Sequence, residues 1–546
     1  QGDFNGGYGA WTVSNPNLLK WRGSQRITNL PRYDFTFNSA TACNGFIGAL
    51  SDSLDEAGIC ISPCEMSIIS PNISLSNTNI GNLSIQFTQS IANFSSDFFV
   101  LTSYDNGLTY QDTIPFNTTT PINTLFNNEI ISIPLCKAPK NASQIRFKFI
   151  YIGDYYLWTM DDFYLINNTK NDADVKVNDF ISRAPTLVIP KGQSHTFAFL
   201  SDVQNVGASP ATNVVLKAEI LDPLDNVIYS QNNAYGTIGC FETVENIPFD
   251  KLHTQKFDEP GVYSIKYTIS ADTNIVSTND AIEIPFIISD STFANITRET
   301  PTNQFLRGAR SFWNPTFWDA NVGTTQTSLG NFYKVTAGKN KAVSKVRFGL
   351  DNTNTAMQGF VIVDLYRVFD ENGDYILDPN DRVLLGTETL VVTNQTPNLR
   401  FIEVDIKDAD GKPILLEDNS DYAVVIHTEG ISGSASTPQV LSYNPRANEH
   451  LVYFIATLYG FVESDKPYYH SLISDATRLD IDKRSFSPWW TNIPSLGRIY
   501  PAVHFIEMDI TNLATTSTEQ FVADLNISMY PNPVENTINL TYNLEK

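Results

Sequence analysis

Short runs in which apolar and polar residues alternate, separated by turns rich in Asn, Gly, Ser and Pro, recur along the whole chain. In Gln144-Ile145-Arg146-Phe147-Lys148-Phe149 the period of two places Ile145, Phe147 and Phe149 inward and Arg146 and Lys148 in water. Ser96 to Tyr104 reads as a strand that runs through Asp105 into an Asn106-Gly107 hairpin turn. Val214, Leu216, Ala218 and Ile220 alternate in the same way after the turn Gly207-Ala208-Ser209-Pro210, as do Tyr263, Ile265, Tyr267 and Ile269 after Glu259-Pro260-Gly261. Further strands are predicted at Lys345–Phe348, Phe360–Tyr366, Phe401–Ile406 and Tyr422–Ile426. No short solenoid repeat is present. The pattern predicts an all-β chain of tandem β-sandwiches.

With 546 residues the chain exceeds one ordinary domain. Changes of rhythm divide it into units at 1–168, 170–290 and 291–510, a Thr/Ser-rich linker at 511–521, and a short segment at 522–546. The second unit has the length and strand spacing of an Ig-like sandwich. A jelly roll is expected for the third. Charged residues make up 17%, while 42% are hydrophobic, so real cores are available. The formal net charge of −23 disfavours nucleic acid, whose phosphates it would repel, and anionic lipid surfaces, but suits cation binding. No apolar run approaches the roughly 20 residues of a membrane-spanning helix. The opening Gln1-Gly2-Asp3 is what a mature N-terminus left by signal-peptide removal would look like.

Of the five cysteines, Cys43, Cys60 and Cys64 lie close in sequence, and a disulfide among them is expected, with connectivity open and an odd thiol left over. Cys136 and Cys240 complete the set. Without Cys-x-x-Cys or paired histidines, zinc is not expected.

Three resemblances follow from these residues. Tyr530-Pro531-Asn532-Pro533, with the alternating Val534 to Leu540 behind it, resembles the opening of a type A C-terminal sorting domain of the type IX secretion system of Bacteroidota. That likeness implies export through the periplasm to the cell surface or beyond, with the type IX translocon as a partner. Asp3-Phe4-Asn5-Gly6-Gly7, Trp11, the Ser103-x-Asp105-x-Gly107 hairpin and Trp158-x-x-Asp161-Asp162 resemble, in this order, the jelly-roll modules called MAM-like or cleaved-adhesin domains. The likeness implies a calcium site from Asn5 and Asp162, with Asn5 where many members carry Glu. Asn205-Val206-Gly207 followed by Ala211-Thr212-Asn213-Val214 resembles CARDB-type Ig modules, which act as spacers or adhesion modules.

The strongest metal pattern is Asp370 to Asp381. Oxygen side chains fall at positions 1, 3, 5, 9 and 12 of the loop (Asp370, Asn372, Asp374, Asp378, Asp381), with the carbonyl of Ile376 at position 7. Calcium takes six to eight hard oxygens, and this spacing wraps one ion; Tyr375 stands where glycine is usual and Asp381 where glutamate is. Flanking strands would make the loop a stiffened β–β connection rather than a sensor.

Candidate ligand contacts are Trp313 and Trp318, around Asn314-Pro315-Thr316-Phe317, and Trp489-Trp490, whose rings are able to stack on sugar faces. The six histidines are scattered, and no Gly-x-Ser-x-Gly elbow, His-Glu-x-x-His or phosphate loop occurs. The expected function is therefore a non-catalytic, exported surface adhesin or surface-assembly protein that binds a surface glycan or protein, with structural calcium. The alternative is a carbohydrate-binding accessory protein or hydrolase of polysaccharide use.

Overall fold

Nearly every element is a strand, and the one helical turn among the described residues is Ala42–Asn44. The computed structural model describes residues 7–14, 19–22, 26–27, 35–50, 63–75, 82–93, 96–117, 124–153, 157–168, 175–181, 186–197, 199, 201–244, 247, 249–250, 253–272, 280–295, 309–311, 326–351, 359–369, 382–393, 396, 400–430, 439–443, 471–475, 503–513, 528–530 and 539–541. The fold is all-β, built as tandem β-sandwiches. None of the described helical residues forms a segment long and apolar enough to cross a membrane.

In the first sandwich one sheet runs Thr12–Val13, Cys64–Ile69, Gln144–Gly153, Ser96–Ser103, Asp112–Phe116. The facing sheet runs Thr124–Pro134, Asn82–Asn93, Leu157–Asn168, Phe46–Leu50, Leu19–Arg22. Strict alternation along Gln144–Gly153 buries Ile145, Phe147 and Phe149, as the sequence predicts, and extends to Tyr151. Edge-to-face contacts such as Phe87–Phe149 (5.5 Å) and Trp11–Phe163 (5.3 Å) fill the space between the sheets. The predicted Asn-Gly turn is present, with Asn106 and Gly107 both at positive φ and Thr102 paired with Asp112. Ser103 accepts the Gly107 N–H and donates to Asp105; Thr109 donates to Asp105 from hydroxyl and backbone, holding that carboxyl down at about 2.

The second sandwich packs Ala211–Leu221, Val227–Ile238, Gly261–Ser270 and Ala281–Ser289 against shorter strands that include Ser194–Phe197, Ser201–Asn205 and His253–Lys256. Val214, Leu216, Ala218 and Ile220 all face the core with Tyr263, Ile265, Tyr267 and Ile269. In the third, Gln326–Val335, Ser420–Gly430, Gly359–Val368 and Arg382–Val392 form one sheet, while Lys341–Asp351 and Ile506–Asn512 head the other. The strand Ile506–Asn512 reaches Thr511 and Asn512, which the sequence places in the linker.

The units are not beads on a string. Thr292–Ala294 pairs on one side with Val188 of the second sandwich and on the other with Glu507, Met508 and Asp509 of the third, so a single ladder crosses the boundary. Beside it, fully buried Gln193 accepts the N–H groups of Thr336 (2.8 Å) and Ala337 (3.0 Å) and donates to the Ala337 carbonyl (2.9 Å). Two residues on, His195 is buried with Nε2 unpaired. Desolvation, helped by the positive charge of Lys334, lowers its pKa to about 3.

Of the pairings expected among Cys43, Cys60 and Cys64, those that use Cys43 do not form, and a bridge outside this trio does. Cys43 is exposed and free, while Cys136 of the first sandwich and Cys240 of the second, 104 residues apart, form a disulfide. Closing a long loop costs little more than closing a short one, so proximity in sequence is a poor guide to pairing once folding sets the distances. Cys60 lies outside the described residues.

Two outcomes are expected at the seam. Gln193→Leu leaves the Thr336 and Ala337 amides unpaired and costs about 2–4 kcal/mol in urea denaturation. His195 charges near pH 6.5 when unfolded but only near 3 when folded, so stability is full above pH 6.5. It is lost as pH falls through that window, by roughly 3–5 kcal/mol. His195→Asn should flatten that stretch of the stability–pH profile; an unchanged slope refutes this placement.

Candidate functional site

The described residues bring chemistry together most clearly on the outer face of the second sheet of the first sandwich. Trp158, Met160 and Phe163 of the strand Leu157–Asn168 face the core. Between Asp161 and Tyr164 the pairing with Asn82–Asn93 slips by a β-bulge, and Asp162 takes a left-handed φ of 52°. A bulge re-aims side chains, and here the carboxylates of Asp161 and Asp162 both reach the same neighbour, Thr41.

The chain around Ser39 to Asn44 covers them. Ser39 donates to Asp161 Oδ2 at 2.5 Å, the Ala40 N–H donates to Asp162 Oδ2 at 2.6 Å, and the Thr41 hydroxyl lies 2.6 Å from Asp162 Oδ1 and 3.2 Å from Asp161 Oδ2. Asp161 is fully buried, and its Oδ1 makes no hydrogen bond. Burial pushes its pKa up, the charge of Asp162 adds to the rise, and the Ser39 and Thr41 hydroxyls oppose it. Two neighbouring carboxylates with a bare, buried oxygen and two rotatable hydroxyls make a hard-oxygen set suited to a cation such as calcium. No group of three or more His, Cys, Asp or Glu side chains able to hold a metal occurs among the described residues, so neutral oxygens would have to complete the shell.

Of the sequence-predicted sites, Asp162 is therefore placed in a polar cluster. Its expected companion Asn5 lies outside the described residues, as do Asp370, Asn372, Asp374, Ile376, Asp378 and Asp381. The setting of that acidic loop is visible: it joins Gly359–Val368 to Arg382–Val392, antiparallel partners with Val368 opposite Arg382. It is thus flanked by strands, as expected. Trp313, Trp318, Trp489 and Trp490 lie outside the described residues, as do Pro531, Asn532 and Pro533; Tyr530 ends the strand Ser528–Tyr530 and pairs with Asn539.

The sequence places Asp161 in the Trp158-x-x-Asp161-Asp162 motif but not among the candidate ligands; the signal for it is the doubled acid inside an apolar strand. A second cluster went unpredicted. Buried Asp364 accepts from the Tyr366 hydroxyl (2.8 Å) and contacts His427 Nε2 (3.1 Å). Burial alone would raise the Asp364 pKa, but hydrogen bonds from His427, Thr387 and Tyr366 outweigh it and hold the carboxyl below its usual range. The hint was Asp364 inside the apolar run Phe360–Tyr366 and His427 directly after the run Tyr422–Ile426.

No protein-family model matches the chain, and no curated protein sequence does. Among solved structures, the CARDB domain of a Pyrococcus furiosus protein in complex with di-metal ions is 12% identical, covering 23% of this chain and 95% of that one, with a TM-score of 0.16. TmCBM61 in complex with β-1,4-galactotriose is 13% identical over 31% of this chain and 100% of that one, TM-score 0.19. Bacteroides uniformis β-glucuronidase 2 is 8% identical over 51% of this chain, TM-score 0.23; the chain spans 32% of that enzyme. Likeness at this level goes no further than β-sandwich construction.

The Asp161 geometry carries a sign. Its raised pKa means the ionised carboxylate destabilises the folded state at neutral pH, a cost relieved as pH falls. In chelator at pH 7, Asp161→Asn should therefore raise Tm by a few degrees; a lower Tm would show that the charge is already compensated.

Proposed function

We propose that this chain is an exported cell-surface adhesin or surface-assembly protein of the type IX secretion pathway, which binds a surface glycan or protein without chemistry. The observation that carries the reading is the way the sandwiches are joined. A disulfide links the first to the second, and a shared ladder with a buried glutamine clasp links the second to the third. Such seams suit a stiff scaffold that holds binding loops away from an anchoring point. Transient interdomain contacts would suit a moving catalytic cleft better.

Calcium is the proposed structural ion. In the first sandwich Asp161, Asp162, Ser39 and Thr41 supply the oxygens; in the third, Asp370, Asn372, Asp374, Asp378, Asp381 and the Ile376 carbonyl do so from a hairpin loop whose feet are paired. The ion would neutralise carboxylates that otherwise repel one another, and so stiffen the loops it binds. The segment at Tyr530–Pro533 is the proposed address for the translocon, and Trp313, Trp318, Trp489 and Trp490 are the proposed ligand contacts.

Two experiments test this. Antibody labelling and protease shaving of intact native cells should reach the protein, and truncation before Ser528 should retain it inside; a purely cytosolic pool ends the proposal. Millimolar calcium should raise the Tm of the purified chain by several degrees over chelator. Asp161→Asn with Asp162→Asn should remove the part of that shift due to the first site.

A further inference from the structure

We infer that the Cys136–Cys240 disulfide is a redox-releasable clasp that sets the placement of the first sandwich on the second. Cys136 lies in an exposed turn of the first sandwich, just after the buried Leu135, and Cys240 in a half-exposed turn of the second, so a dissolved reductant is able to reach the bond. The turn carrying Cys240 is firmly mounted on its own sandwich. The side-chain amide of Asn205 donates to the carbonyls of Ser209, Ile238 and Gly239; the Asn205 N–H donates to the Glu242 carbonyl; and the Gly239 N–H donates to the Glu242 carboxylate at 2.6 Å.

The next residue gives the joint its second half. Phe241, though part of the second unit, packs against the hydrophobic core of the first. It does so with a φ of 54°, a left-handed conformation that a bulky aromatic residue rarely adopts. Such strain persists only where the surroundings over-determine it. Here the disulfide on one side and the Asn205–Glu242 bonds on the other hold the turn, and Phe241 is wedged into its neighbour. Opening the bond removes one of those two restraints. The turn stays mounted by the Asn205 and Glu242 bonds, and the packing of the Phe241 ring alone is left to hold the first sandwich there, so the two units are able to part.

The reductant is a dithiol. One of its thiolates attacks the sulfur of Cys136 or Cys240, forming a mixed disulfide and expelling the other cysteine as a thiolate. Its second thiol then displaces the remaining cysteine. Two electrons and two protons pass to the protein, leaving two cysteine thiols and an oxidised, cyclic reductant.

The full chain is compared in three forms: oxidised, reduced by dithiothreitol after folding, and Cys136→Ser with Cys240→Ser. Small-angle scattering reads the spacing of the sandwiches, and hydrogen exchange reads the Gly239 and Glu242 amides. Both the reduced and the substituted chain should show a larger radius of gyration, with exchange at that turn and in Gln144–Gly153 unchanged. Phe241→Gly in the oxidised chain should keep the compact radius yet speed dithiothreitol cleavage of the bond severalfold. A radius that stays the same after reduction overturns the inference, as does peptide mapping that finds Cys136 and Cys240 unpaired in the oxidised protein. The reduced wild-type chain keeps the test decisive if the substituted one fails to fold.

Discussion

The structure depends on satisfying backbone hydrogen bonds where one sandwich ends and the next begins. The rim of a β-sandwich exposes rows of N–H and C=O groups, which must be paired, hydrated or covered. Here a three-residue strand, Thr292–Ala294, takes pairs from Val188 on one flank and from Glu507, Met508 and Asp509 on the other. The junction between two units thereby becomes a continuation of the sheet. Arg347 reinforces it, bonding Asp509 at 2.6 Å with Thr292 donating to the same carboxylate and Glu507 alongside.

Everything buried near that junction inherits its geometry. Gln193 works because two amides and a carbonyl of the third unit converge on it, and an amide side chain is able both to accept and to donate. His195 is kept neutral because water is excluded and Lys334 is near. The other junction is built differently, from one covalent bond and one wedged ring. A chain joined in these two ways is suited to displaying surfaces, which is the physical basis of the adhesive function proposed for it.

The carboxylate cluster shows how a local irregularity creates chemistry. A regular strand would send Asp161 and Asp162 to opposite faces. The bulge after Asp161 and the left-handed backbone of Asp162 bring both to Thr41, and the turn Ala42–Asn44 helps hold the covering segment in place. Asp364 and His427 illustrate the ordinary case: regular neighbouring strands, Gly359–Val368 and Ser420–Gly430, set two polar residues side by side in a buried place.

The sequence alone determined the strands and their faces. Period-two alternation is a local property, so Ile145, Phe147 and Phe149, or Tyr263 to Ile269, are legible as core without any knowledge of partners. It also determined the Asn106-Gly107 turn, because few residues accept its backbone angles. Which strands meet, and so which side chains meet, was settled only in three dimensions. Cys136 finds Cys240 across 104 residues, and Ser39 finds Asp161 across 122, although nothing local marks either pair. Long-range contacts depend on how sheets close and stack, and that is a property of the whole chain's packing rather than of any stretch of it.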